Sequence, residues 1–120
     1  MHNFYKSKKL FILMTNESVQ ELSGKKFDEF AKSGLVFIDF FAEWCMPCVM
    51  MAPIVEEVSE KFNKKIKFGK VNVGENEALA RKFNVSSIPN FILLKDGKVV
   101  ENFVGAMDAD ELENKLRKFV

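Results

Sequence analysis

The amino-acid sequence predicts an α/β domain in which helices cover both faces of a central mixed β-sheet. Its hydrophobic pattern switches repeatedly between strand and helix periods, with no internal repeat and no low-complexity tract. Asp96-Gly97 lies between two apolar runs and is a strong hairpin signal, so the two strands that it joins must be antiparallel. Alternating elements followed by one hairpin imply a sheet that is parallel only in part.

From about Val19 onwards we expect the order β-α-β-α-β-α-β-β-α. The run Leu35–Phe41 is rich in β-branched and aromatic residues and predicts a strand buried on both faces, which only Asp39 interrupts. After Cys48, apolar residues at helical spacing predict an amphipathic helix kinked at Pro53. The later elements are expected as strand 66–73, helix 76–83, strands 91–94 and 98–100, and a terminal helix after the capping-box pair Asp108 and Glu111.

Length and composition exclude several classes of protein. A chain of 120 residues is too short for two domains with separate hydrophobic cores. Apolar residues at 48% and charged residues at 29% are typical of a globular domain, not of a disordered or a membrane-spanning chain. With 18 basic and 17 acidic residues the net charge is +1, which argues against nucleic-acid binding as the main function.

Residues 1–16 differ in composition from the rest of the chain. They carry basic side chains at His2, Lys6, Lys8 and Lys9 and no acidic one. We expect a basic N-terminal extension there, followed by a domain over residues 17–120, with Met14 as an alternative start. The apolar run 10–14 is too short for a signal peptide or a membrane span. We therefore expect a cytoplasmic protein that does not contact a membrane.

The chain's two cysteines lie in Trp44-Cys45-Met46-Pro47-Cys48, where the buried strand gives way to the helix. Unpaired N–H groups and the macrodipole at a helix N-terminus favour a thiolate, the nucleophile of disulfide exchange. A spacing of three places Cys48 one turn along on the same side, close enough to attack a mixed disulfide on Cys45. The pair therefore has the arrangement of a nucleophile and a resolving thiol.

Three other interpretations of the cysteine pair remain open. A purely structural disulfide would close a loop of four residues, which stabilises a fold by only about 2 kcal/mol. Half of a zinc site would need further ligands, but the chain has no other cysteine and His2 is distant in sequence. Two buried core thiols fit poorly with the neighbouring Trp44 and Pro47. Redox chemistry is the interpretation we favour, and we expect no metal and no bound cofactor.

The segment Phe40-Phe41-Ala42-Glu43-Trp44-Cys45-Met46-Pro47-Cys48 resembles the active-site segment of the thioredoxin family. The resemblance extends from about Val19 to Val120. Five further matches occur in the right order, at Asp39, Pro53, Lys70, Ile88-Pro89 and Gly105. It implies a thioredoxin fold, and Trp-Cys-Met-Pro-Cys is a variant of the family's active-site sequence.

The resemblance also implies a role for each matching residue. Cys45 would be an exposed nucleophile, Cys48 a buried resolving thiol, and Asp39 the base that takes the Cys48 proton. A carboxylate in an apolar strand has a raised pKa, which supports that last role. A carboxylate satisfied by pairing with Lys70 is the alternative for Asp39. Pro89 would be a cis-proline beside the dithiol, with a trans proline at an edge strand as its alternative.

The substrate-binding residues implied by the resemblance are Trp44, Ile88, Pro89 and Gly105. Met46, Pro47 and Lys70 would tune the redox properties. Four residues depart from the commonest family pattern: Met46 replaces Gly, Phe41 replaces Trp, Val49 replaces Lys and Asn90 replaces Thr. All but Phe41 are expected around the substrate groove, where they would affect redox potential and partner choice. We interpret the remaining methionines and the Phe residues as core packing.

Together these features predict an enzyme, a thioredoxin-type reductase of protein disulfides. Its implied partners are disulfide-containing protein substrates and a thioredoxin reductase as electron donor, and we expect a monomer. A binding module that holds a partner in the groove without turnover is an alternative from another class. A dedicated oxidase or isomerase is a third hypothesis, but it needs an oxidising compartment.

Overall fold

The computed structural model describes residues 18–120, so the predicted basic extension over residues 1–16 lies outside the described part. The elements follow the predicted order. They are β1 Val19–Glu21, α1 Gly24–Ala31, β2 Leu35–Phe41, α2 Met46–Lys61, β3 Lys67–Asn72, α3 Glu77–Lys82, β4 Asn90–Lys95, β5 Lys98–Val104 and α4 Ala109–Arg117. Most bounds lie within two residues of the expected ones, and β5 extends four residues further.

The five strands form one mixed sheet in the order β1-β3-β2-β4-β5. The first three are parallel to one another, whereas β4 runs antiparallel to β2 and β5 antiparallel to β4. The predicted mixed sheet is thus confirmed. Strand β2 lies at its centre, and its C-terminal end leads directly to the cysteine pair.

Each face of the sheet packs against two helices. Side chains alternate between faces along a strand, so Phe37 of β2 packs with α2 and α4 while the adjacent Ile38 packs with α1 and the partly buried side of α3. The β2 members of the two clusters, Val36, Phe37, Ile38 and Phe40, are fully buried. Apart from Asp39, the run Leu35–Phe41 is continuously apolar because helices cover both faces of the sheet at β2.

Local sequence signals account for the ends of the elements. The hairpin turn places Asp96 at φ 50° and Gly97 at φ 84°, the left-handed conformations that make Asp-Gly a favoured pair in a two-residue turn. The Asp108 carboxylate accepts a hydrogen bond from the Glu111 N–H at 2.8 Å and so caps α4. Helix α2 continues through Pro53.

Gly69 of β3 allows α1 and the chain before it to approach the sheet closely. A Cβ at this position would overlap the buried Leu22 side chain and lie 3.2 Å from the Phe30 ring. We expect Gly69→Ala to lower the free energy of unfolding by about 1–3 kcal/mol, because overpacking forces side chains and backbone to shift. Urea unfolding measures this, and an unchanged midpoint would show that the contact is not tight in solution.

Candidate active site

The two cysteines form a disulfide at the start of α2, with their Cα atoms 5.2 Å apart. Cys45 is the N-cap residue of this helix, in an extended conformation. Its Sγ accepts a hydrogen bond from the Cys48 N–H at 3.2 Å. The predicted position of the first sulfur at a helix N-terminus is confirmed, and a helix N–H group points at it.

Cys45 is buried in this disulfide form, with 5% of its surface exposed against 4% for Cys48. The expectation of an exposed Cys45 is therefore wrong for the oxidised state. The cause is packing, since Ala42, Phe41 and Ile88 enclose the disulfide. Solvent therefore reaches little of Cys45, while Trp44 and Met46 on either side of it are exposed.

An exposed apolar rim, which comprises Trp44, Met46, Val49 and Met50, flanks the two cysteines along the chain. Trp44 is 78% exposed, Met46 68% and Met50 66%, and Val49 is half exposed. The prediction that the remaining methionines are core packing is thus wrong for Met50. Asn90 is buried in β4, directly after Pro89.

Ile88 packs against the disulfide, Pro89 follows it, and Gly105 is hydrogen-bonded to Pro89. Cys45 Sγ is 3.9 Å from the Ile88 carbonyl oxygen, and the Gly105 N–H donates to the Pro89 carbonyl at 2.9 Å. The Ile88-Pro89 peptide bond is cis, as the family resemblance implied, and the trans alternative is wrong. The structure therefore brings these three residues and Cys45 together from three separate segments of the chain.

Asp39 is buried in the middle of β2, two residues after Phe37 and on the same face of the sheet as α2. Burial raises the pKa of Asp39 to about 7, while the positive charge of Lys70 partly opposes the shift. Its Oδ1 has no hydrogen-bond partner within residues 18–120. In the same part of the chain no ion pair joins Asp39 to Lys70, so a carboxylate satisfied by Lys70 is not what the structure contains.

Two residues near the site were not predicted from the sequence. Helical spacing predicts Glu56 on the polar face of α2, but it is half-buried, and burial raises its pKa against the opposing charge of Lys70. The only sequence feature that indicates this burial is the position of Glu56 directly after the core residue Val55. Val104 is an exposed apolar residue that pairs with Asn90, next to Pro89, and no local pattern indicates it.

Among residues 18–120, no three His, Cys, Asp or Glu side chains come together as a possible metal site. No helix in that range is both long enough and apolar enough to cross a membrane.

A redox-active cysteine pair at the N-cap of a helix, with a buried carboxyl group on the adjoining strand, defines a thiol-disulfide oxidoreductase. A family model described as Thioredoxin matches residues 18–118. The chain is 45% identical over 100 residues to a thioredoxin of Chlamydia pneumoniae, covering 83% of this chain and 97% of the relative. It is 38% identical over 101 residues to a thioredoxin of Bacillus subtilis, covering 84% and 97%.

A solved structure of a mutant thioredoxin from Halobacterium salinarum NRC-1 superposes with a TM-score of 0.78 at 33% identity, over 85% of this chain and 90% of that one. The chain therefore belongs to the thioredoxin family and has the thioredoxin fold. Membership and the Cys45-Cys48 pair make it an enzyme that exchanges dithiol and disulfide with protein substrates.

Proposed function

We propose that this chain is a general protein-disulfide reductase with Cys45 as nucleophile and Cys48 as resolving thiol. The Cys45 thiolate attacks one sulfur of the substrate disulfide, and the other sulfur leaves as a thiolate. Cys48 then gives up its proton and attacks Cys45 Sγ, which releases the second substrate thiolate. The substrate gains two electrons, and the enzyme ends as the Cys45-Cys48 disulfide.

The position of Cys45 at the N-cap of α2 is the observation that carries this proposal. The Cys48 N–H already donates to the Cys45 sulfur, and the same hydrogen bond would stabilise a thiolate there. Cys48 lies three residues further along α2, and within residues 18–120 no N–H group donates to its sulfur. Of the two sulfurs, Cys45 is therefore the better anion and the first to attack.

Asp39 is proposed as the base that takes the Cys48 proton. Its pKa of about 7 makes it half ionised at neutral pH, where a general base is most effective. It lies on the face of the sheet that α2 covers, and α2 carries Cys48. Its unpartnered Oδ1 is free to accept a proton.

Trp44, Ile88, Pro89 and Gly105 are proposed as the substrate-binding residues. Pro89 has no N–H group, so it cannot donate a backbone hydrogen bond at this position. The carbonyl oxygen of Ile88 lies 3.9 Å from Cys45 Sγ. An extended substrate segment could pair there while its side chains contact the apolar rim. This rim favours partners with uncharged residues near the reactive disulfide.

The electron donor is proposed to be a thioredoxin reductase, which would reduce the Cys45-Cys48 disulfide by the same exchange reaction. We further propose that the enzyme acts as a monomer in the cytoplasm, with residues 1–16 as a basic extension of a domain over residues 17–120. Met46, Pro47 and Lys70 are proposed to tune the potential and the proton transfer.

The experiment that tests the function measures reduction of a disulfide-containing test protein with a thioredoxin reductase as the sole electron source. The parent chain should turn over many equivalents of substrate, and a Cys45→Ser, Cys48→Ser double variant should turn over none. Full biological activity of the double variant in a cell that depends on this chain would instead favour the binding module.

Met46→Gly tests whether the residue next to the nucleophile is needed for chemistry. Met46 offers no acid, base or nucleophile, and it is exposed on the rim. Glycine adds backbone freedom at the start of α2, which costs roughly 1 kcal/mol. We expect reductase activity on an unstructured disulfide peptide to stay within about tenfold of the parent and the potential to move by at most about 20 mV. A hundredfold loss would assign Met46 a catalytic role.

A further inference from the structure

The Lys70 side chain is held against an aromatic ring at the active site. Its Nζ lies 5.6 Å from the centroid of the Phe41 ring. Three other lysines between residues 18 and 120 lie over Phe rings, in the pairs Lys67–Phe30, Lys82–Phe83 and Lys115–Phe103. Among these four rings, only Phe41 also packs against the redox disulfide.

Strand register places Lys70, Phe41 and Asp39 on one face of the sheet. Lys70 of β3 is paired with Asp39 of β2, and partners in a parallel pair project to the same side. Phe41 follows Asp39 by two residues and therefore shares its face. The ring thus lies on the same face as the carboxyl group and 5.6 Å from the ammonium group, and it belongs to the strand that leads to the dithiol.

Lys70 acts on Asp39 without an ionic contact. No ion pair joins them in the part of the chain that the structure describes, although the positive charge of Lys70 lowers the pKa of Asp39. The other charged groups on this face are Glu21 of β1, which is the register partner of Lys70 on the side away from Asp39, and Glu56 of α2, which interacts with both Lys70 and Glu60. From β4 the residue opposite Asp39 is Phe91, which is uncharged. The position of the Lys70 ammonium therefore decides how much positive charge Asp39 experiences.

We propose that Phe41 is a positioning residue for the proton transfer, because its ring holds the Lys70 ammonium on the Asp39 face of the sheet, near the carboxylate but outside contact distance. The inference rests on the proposed role of Asp39 as the base. An ammonium is attracted to the face of an aromatic ring, whereas an aliphatic side chain of similar size offers no such attraction. Without the ring, the strongly hydrated ammonium turns to water or to the carboxylates of Glu21 and Glu56, and Asp39 keeps its proton to a higher pH.

The test is an NMR titration of the Asp39 carboxyl carbon in the oxidised protein, where the cysteines do not titrate. Phe41→Leu is expected to raise the Asp39 midpoint by about half a pH unit. A shift of that size lowers the ionised fraction at pH 7 about twofold, and the reductase rate at pH 7 should fall by the same factor. At pH 9 the rate should equal that of the parent.

Three variants separate positioning from a general structural effect. Phe41→Trp keeps an aromatic face and should leave the midpoint at or below the parental value. Phe30→Leu removes the equivalent ring from under Lys67, away from the dithiol, and should shift nothing. Lys70→Met should raise the midpoint at least as much as Phe41→Leu, and adding Phe41→Leu to it should cause no further rise.

An Asp39 midpoint that does not move in Phe41→Leu but does move in Lys70→Met would overturn the inference. A further rise of the Asp39 midpoint by about half a pH unit when Phe41→Leu is added to Lys70→Met would also overturn it, because Phe41 would then act independently of Lys70. If Phe41→Leu does not fold, a rise of half a unit in Phe41→Trp contradicts the inference in its place. Failure of Asp39→Asn to alter the pH profile would instead reject the proposed base, and the NMR midpoints would still decide whether Phe41 positions Lys70.

Discussion

Cys45→Ser is expected to reduce turnover of a protein disulfide to the uncatalysed level, a loss of at least about a thousandfold. A serine hydroxyl at the N-cap of α2 can still accept the Cys48 N–H, so the helix should form as before. The variant lacks the thiolate, and a serine hydroxyl, unlike a thiolate, does not attack sulfur at neutral pH. The measurement is steady-state reduction of a disulfide-containing test protein at pH 7.

The matched control is Cys48→Ser, compared with the parent under reducing conditions so that neither has the disulfide. Both variants should unfold within about 1 kcal/mol of the reduced parent, because each replaces one buried thiol with a group of similar size. Retention of a tenth or more of the parental turnover by Cys45→Ser would mean that Cys48 serves as the first nucleophile.

Asp39→Asn is expected to slow reduction by about tenfold or more at pH 7 and by less at pH 9. The amide has the shape of the carboxyl group but cannot take the Cys48 proton. At pH 9 hydroxide can remove that proton without the base, so the rates of variant and parent should converge. A ratio of rates that stays flat from pH 6 to 9 would reject the proton-transfer role.

The same substitution should stabilise the fold at neutral and alkaline pH. The unfolded Asp39 carboxyl ionises near pH 4, whereas the folded one ionises near pH 7. Between these values only the unfolded state loses its proton, so the parent's stability falls as the pH rises through this window and stays low above it. Three pH units correspond to about 4 kcal/mol at most.

Urea unfolding of the parent and Asp39→Asn at pH 4 and pH 8 measures this effect. We expect the two to differ little at pH 4 and the variant to be more stable by about 2–4 kcal/mol at pH 8. A gain in stability combined with a loss of rate is the result expected for a catalytic carboxylate whose ionised form is destabilised by burial. A variant that is less stable than the parent at pH 8 would show that Asp39 is a satisfied structural carboxylate.

Most of the fold could be predicted because its signals are local. The alternation of apolar patterns, the Asp96-Gly97 turn and the Asp108 cap each depend on a few neighbouring residues, and each was found where expected. The close approach at Gly69 could not be predicted, since it depends on where Leu22 and Phe30 pack after the chain has folded.

The site residues in the segment around Cys45 could be predicted from the local sequence. Pro89 and Gly105 are distant from it in sequence and could be predicted only through the family resemblance. Exposure was the property most often predicted wrongly. Cys45 is buried because the adjoining Phe41 and Ala42, together with the distant Val73 and Ile88, enclose its disulfide, whereas Met50 is exposed on α2. Neither follows from helical spacing alone. The relation of Lys70 to Phe41 depends on the register of β2 against β3, which no local pattern encodes.

The most direct test of the central claim identifies the sulfur that carries the substrate in the covalent intermediate. Cys48→Ser is mixed with a disulfide-containing test protein, the reaction is quenched with acid, and the adduct is mapped by mass spectrometry of its peptides. Attack by Cys45 followed by resolution by Cys48 predicts one equivalent of adduct, linked through Cys45 and released by dithiothreitol, with none formed by Cys45→Ser. Equal amounts of adduct on the two variants would contradict the assignment of nucleophile and resolving thiol.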